Sequence, residues 1–201
     1  MIIDKKFTKC WFKSIFLKKY RFVRKILKQS NLFPQNYPVL KQRCLFIGKG
    51  NICFGENVNI GYYPSPYFFS TYAHIEARGE NSKIFIDDNT MINNNCCIIC
   101  NATEIKIGKN CRIGINFQCY DSDFHGIKVE DRDKPDKIVN KDVIIGDNVF
   151  IGNNVIVLKG VKIGDGCTIG AGSVVTQDEP PNSIAVGASA RIVKKLENYY
   201  E

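Results

Sequence analysis

A chain of 201 residues is long enough for one domain with a continuous core, and no apolar run in it approaches the ~18 residues of a membrane-spanning helix. The net charge of +8 is unevenly held: residues 1–50 carry thirteen Lys or Arg against one Asp, net +12, so the other 151 residues sum to −4 (8 − 12). No recognition motif accompanies the basic stretch, and its lysines alternate with a core-like face, which argues against nucleic acid as a partner.

Residues 5–28 place Phe7, Trp11, Phe12, Ile15, Phe16, Phe22, Val23, Ile26 and Leu27 at helical spacing, with Lys6, Lys9, Lys13, Arg21, Arg24 and Lys28 mainly on the other arc. This predicts a basic amphipathic helical segment over 1–46, linker included. It would cover one end of the fold or lie on an anionic membrane surface, and periodicity does not separate the two. Residues 31–43, with Pro34 and Pro38, read as a linker.

From 47 onward a six-residue repeat takes over. In Ile145-Gly-Asp-Asn-Val-Phe, Ile151-Gly-Asn-Asn-Val-Ile and the blocks that follow to Val174, the first place is aliphatic, the fourth is Asn or Gly, and the fifth is small or β-branched. Asn and Gly enter the left-handed backbone region most cheaply, so a tight corner is due every six residues. The same register gives Asn57, Asn89, Asn95, Asn101, Asn110 and Asn116 at fourth places upstream. Neither a helix nor a hairpin repeats at six; three short strands per triangular coil do. The fold class predicted is mainly β, a parallel β-helix over 47–190, followed by a short C-terminal helix over 191–201.

Two interruptions break the repeat. The first coil begins at about Ile47 and is irregular, and an insertion near 62–83 opens with Tyr62-Tyr63-Pro64-Ser65-Pro66-Tyr67-Phe68-Phe69, either a wall beside a pocket or a packed surface loop. The register is expected to recover at Ile86, leaving His74 in the unsettled stretch as a structural histidine. The second insertion, 119–138, carries Asp121-Ser122-Asp123-Phe124-His125-Gly126 before a charged run, and a loop this long in a regular repeat marks function or disorder. His125 is its only side chain expected to titrate near neutral pH.

Of the nine cysteines, Cys96, Cys111 and Cys167 fall at fifth places and read as core thiols. Cys97-x-x-Cys100 has no second CxxC and too few histidines to complete a zinc site, so no metal is expected. Reduced thiols and the lack of a signal peptide point to a cytoplasmic protein, with the N-terminal segment as a peripheral contact to the inner membrane face.

The interrupted repeat followed by IGDNVFIGNNVIVLKGVKIGDGCTIGAGSVVTQDEPPNSIAVGASARIV resembles the hexapeptide-repeat acyltransferases, nearest to the galactoside and maltose O-acetyltransferases and the colanic-acid and O-antigen type acetyltransferases of surface polysaccharides. The resemblance covers roughly residues 47–195. It implies a left-handed β-helix, a homotrimer, and acetyl-CoA as co-substrate lying along the coils at a subunit boundary. It implies further that His125 is the catalytic base, that Asn95 lies near the reacting acyl group, and that Asn153, Ala171, Thr176, Gln177, Arg191 and Lys194 line the coenzyme. Three departures from the family pattern stand out: Phe150 for a frequent Trp, Gln177 for a common Lys, and Ser189 for a common Pro.

The chemistry suits those residues. A neutral imidazole can take the proton of a sugar hydroxyl as it attacks a thioester, because its unperturbed pKa of about 6.5 leaves it mostly free base near neutrality. If residues 121–125 are extended, Asp121 or Asp123 shares a face with His125 and could fix its tautomer. Asn95 also occupies a fourth place, where the corner wants Asn whatever the function. The expected activity is acetyl-CoA-dependent O-acetylation of a sugar of a surface polysaccharide or its nucleotide- or lipid-linked precursor. Amino-sugar N-acetylation and antibiotic acetylation are variants, and a catalytically idle scaffold is the reading from another class. The loop histidine and the GAGSVVT exit favour the enzyme.

Overall fold

The computed structural model describes residues 34–196. The basic stretch 5–28 and residues 197–201 lie outside them. Strands come in threes, one per side of a triangular coil. The first coil is β1 (Val39–Leu40), β2 (Cys44–Gly48) and β3 (Asn51–Phe54), and the second is β4 (Asn59–Ile60), β5 (Ala73–Ala77) and β6 (Lys83–Ile86). The third is β7 (Met91–Ile92), β8 (Cys97–Cys100) and β9 (Glu104–Ile107). The fourth holds β10 (Arg112–Ile113), β11 (Gln118–Tyr120) and β12 (Val143–Ile145), and the fifth β13 (Phe150–Ile151), β14 (Ile156–Val157) and β15 (Lys162–Ile163). After β16 (Thr168–Ile169) and β17 (Val174–Val175) come β18 (Ser183–Val186) and β19 (Arg191–Lys195).

Every strand but β19, which runs antiparallel to β18, pairs in parallel with its counterpart one coil away, giving faces of eight strands (from β1 to β19), six (from β2 to β17) and five (from β3 to β15), here called faces one, two and three. The fold is the left-handed β-helix expected. First-place aliphatics stack inward: Ile86, Ile92, Ile98, Ile107, Ile145, Ile151 and Ile169 are all buried. Ten of the eleven fourth places have positive φ, from Asn57 at 57° to Gly160 at 78°. The exception is Asn101, whose corner is built on an acidic side chain instead of a left-handed residue. Cys96, Cys111 and Cys167 fill fifth places in the core, and burial pushes the Cys96 thiol up to about 12. Cys97 and Cys100 sit three apart on one strand and so point to opposite faces, Cys97 half-buried and Cys100 buried.

Three expectations need correction. The repeat starts earlier than Ile47: β1 lies inside the expected linker and pairs with β4, Gln35 bridges Cys53, and Phe46 rather than Ile47 points inward. The register recovers at Ala73, not Ile86, because Ala73, Ile75 and Ala77 face the core while His74 and Glu76 face out, a strict alternation. His74 is accordingly an outward residue of a strand, bonded to Glu76 at 3.0 Å. Residues 191–195, expected as helix, form β19, antiparallel to β18, where Ile192 and Val193 suit a strand and the backbone groups of β18 need a partner.

Candidate functional site

The corners of the prism stack into edges, and the edges decide which residues can meet. Between faces one and two lie the aromatic insertion, Asn95, Asn116, Asn153 with Asn154, and Ala171 with Gly172. Asn95 Nδ2 donates to Asn116 Oδ1, and Asn116 Nδ2 to Asn154 Oδ1 at 2.8 Å, a ladder of corner amides. Asn153 Oδ1 accepts the N–H of Ile115 at 3.0 Å and so ties one corner to the next. Between faces two and three lie residues 101–103, the loop 121–142, the corner 158–161, and Thr176 with Gln177. Face two therefore separates Asn95 from His125 within one chain, and no hydrogen bond joins them.

The aromatic insertion is docked by two buried amides. Asn94 Nδ2 donates to the carbonyls of Tyr62, Ser65 and Pro66, and Gln42 Nε2 to Tyr67 O and Thr71 Oγ1, while Gln42 Oε1 accepts the N–H of Asn95. Tyr63, Phe68 and Phe69 pack edge to face above this base, and the end of the loop, Ser70 to Tyr72, walls a groove of about 430 Å³ over face two with His74, Asn95 and Gln118. Both sequence readings of this loop hold in part: it is packed, and it borders a cavity.

The second loop holds His125 at the surface. Its Nδ1 lies 3.2 Å from the carbonyl oxygen of Arg132, which can only accept. The proton must then sit on Nδ1, leaving the lone pair of Nε2 free. The turn that makes this contact needs a glycine: a Cβ on Gly126 would come within 2.2 Å of Asp131 O. Lys134 holds Asp131 from the other side at 2.9 Å.

Neither aspartate serves the imidazole. Asp121 is fully buried, and its oxygens accept from the backbone N–H groups of Asn101, Ala102 and Thr103, building the corner at Asn101, the fourth place without a positive φ. Asp123 Oδ1 pairs with Lys159 Nζ at 2.6 Å. The expectation that either fixes the tautomer is corrected by this geometry: the backbone carbonyl of Arg132 takes that place. A backbone partner leaves no mark in a sequence, and Lys159 occupies an ordinary third place of its block.

At the C-terminal end, Thr176 Oγ1 bonds Ser189 Oγ, and Arg191 donates to Ser189 Oγ at 3.0 Å and to Ala190 O at 2.7 Å. Lys194 lies opposite Ile184 in the β18–β19 ladder. Thr176, Ser189 and Arg191 thus form one exposed polar cluster near Gln177, while Asn153 and Ala171 lie on the other edge. Among the described residues no group of three or more His, Cys, Asp or Glu is placed to hold a metal ion, and no helix is long and apolar enough to cross a membrane.

Comparison with known proteins follows the same outline. Residues 142–177 match the family model of the bacterial transferase hexapeptide (six repeats), and residues 104–132 that of the hexapeptide repeat of succinyl-transferase. A search of curated proteins returns no match. The crystal structure of a hexapeptide-repeat-containing acetyltransferase from Vibrio cholerae is 32% identical over 71% of this chain and 72% of that one, with a TM-score of 0.58. The polysialic acid O-acetyltransferase OatWY is 25% identical over 79% and 75%, with a TM-score of 0.53. AntD, an N-acyltransferase from Bacillus cereus in complex with dTDP and 3-hydroxybutyryl-CoA, is 20% identical over 87% and 88%, with a TM-score of 0.64, a likeness of fold. With both hexapeptide models matched and 32% identity over more than two thirds of each chain to the Vibrio cholerae acetyltransferase, the chain belongs to the hexapeptide-repeat acyltransferases.

Proposed function

We propose that the protein moves an acetyl group from acetyl-CoA to a hydroxyl of a saccharide, a surface polysaccharide or its lipid- or nucleotide-linked precursor, with His125 as general base. The observation that carries this reading is the exposed imidazole whose Nδ1 is committed to Arg132 O and whose Nε2 is free. Nε2 takes the proton of the acceptor hydroxyl as its oxygen attacks the thioester carbon; the C–S bond then breaks, and the thiolate of coenzyme A recovers that proton from the imidazolium. Direct transfer of this kind needs position, a base and oxyanion donors.

A homotrimer suits the edges. In a threefold arrangement of triangular prisms, the His125 edge of one copy lies beside the Asn95, Asn153 and Ala171 edge of the next, which brings together residues that a single chain keeps apart. Acetyl-CoA would run between them, with Thr176, Gln177, Arg191 and Lys194 near its polar end. The reaction is assigned to the cytoplasm, with residues 5–28 as a peripheral membrane contact.

His125→Ala tests the base. Its kcat for acetylation is expected to fall by roughly 10²- to 10⁴-fold, while calorimetric titration still shows acetyl-CoA bound. Turnover at the wild-type rate would remove His125 from the mechanism. Arg191→Ala/Lys194→Ala is the control for the coenzyme site, and unweakened binding there would move that site elsewhere.

A further inference from the structure

Asp123 has one carboxylate oxygen bonded to Lys159 and the other buried without a hydrogen-bond partner. Lys159 and Asp123 keep only 23% and 24% of their side-chain surface, whereas Lys109, Lys134 and Lys137 in comparable ion pairs keep 48%, 51% and 51%. A pair so withdrawn from water is screened little by salt, and removal of its cation leaves a buried charge. Lys159 stands on the corner between β14 and β15, one coil beyond the strand that enters the loop, and the adjoining Gly160 lies against the side chain of Lys141 at the far end of that loop.

The next residue is held as well. Phe124 adopts a positive φ of 60°, rarely taken by an aromatic residue. Its N–H donates to Ser122 Oγ at 2.9 Å, its ring meets Tyr120 edge to face at 5.7 Å, and the guanidinium of Arg78 lies 5.0 Å over the ring centroid. Arg78 in turn is tied to Glu76 at 2.7 Å. Two residues before His125 are therefore fixed from two other coils, one by charge and one by a cation over a ring.

We propose that Lys159 is a positioning residue for His125: by holding Asp123 on the corner of the following coil it sets the backbone that presents Nδ1 to Arg132 O. Arg78, through Phe124, is the second point of the same clamp. The proposal rests on the reading of His125 as the base, but its geometry can be judged without turnover.

The test is ¹⁵N NMR of the imidazole nitrogens in the full chain, whose two histidines are told apart with His125→Ala. The wild type is expected to show His125 as a single tautomer protonated at Nδ1. Lys159→Met should show loss of that single tautomer, with both forms present, and Lys159→Arg should restore it. Asp123→Asn approaches the pair from the other side and is expected to behave as Lys159→Met does, which keeps the test open if one variant folds poorly. A wild-type His125 spectrum in Lys159→Met and Asp123→Asn overturns the proposal. So does loss of acetyl-CoA binding in Lys159→Met by calorimetry, which would place Lys159 at the coenzyme. If instead His125→Ala keeps full activity, the base reading falls while the tautomer result still decides the clamp.

Discussion

Asp121 reaches back one coil to Thr103, accepting at Oδ2 both its backbone N–H and its hydroxyl, each at 3.0 Å. The same carboxylate takes the N–H groups of Asn101 and Ala102 and the thiol of Cys100, whose pKa burial, and then Asp121 itself, pushes up to about 12. A corner that at the other ten fourth places costs a left-handed Asn or Gly is here satisfied by one acidic side chain from the coil above.

Asp121→Ala should therefore act on stability. Loss of a charged acceptor with several donors left behind is expected to cost about 2–4 kcal/mol in urea unfolding. Asp121→Asn keeps the shape but replaces one acceptor with a donor facing N–H groups, and should recover less than half of that loss. A near-neutral Asp121→Ala would show that water replaces the carboxylate.

Gly126→Ala should act on catalysis instead. The added methyl would sit 2.2 Å from Asp131 O, so the segment bearing Arg132 must move and the contact to His125 Nδ1 must lengthen. A displacement of this size in a base is expected to lower kcat by roughly 10²-fold. Thermal unfolding should shift little, because the loop lies outside the coil core. Equal losses in both would count the loop as structural.

The pH dependence of stability has one internal contributor near the C-terminal end. Glu179 is buried, neither of its oxygens has a hydrogen-bond partner, and burial raises its pKa, with Arg191 opposing and Asp178 adding to the rise. The unfolded chain then loses this proton first as pH rises through about 4.3, so stability falls from there until the folded group ionises and is level beyond. Glu179→Gln removes the slope. Urea midpoints of the variant relative to wild type should gain more at about pH 7 than at about pH 4. An equal gain at both would mean that the folded and unfolded carboxyls titrate alike.

The repeat was open to inspection because three of its six places have distinct physical demands, and the positive φ of Asn89, Asn110 and Asn148 reports the same demand that placed Asn there. β5 escaped notice because its inward residues are Ala73, Ile75 and Ala77, two of them too small to signal a core. β19 escaped because Lys194 and Lys195 suit a helix as well as an edge strand, and only the open backbone of β18 decides between them. The loop of His125 was visible as an insertion. Its contacts were not, since they run to a carbonyl and to a lysine 36 residues away from Asp123 (159 − 123).

The reversed direction of β19 has a further consequence. Every coil of a parallel stack is a template for the next, and a final coil left bare would offer its peptide groups to a second molecule, the start of a fibre. Here face one closes on a strand running the other way, exposed along its whole length and studded with Arg191, Lys194 and Lys195. Positive side chains on an edge strand are among the devices that discourage pairing with a second chain, so this last strand opposes end-to-end self-assembly.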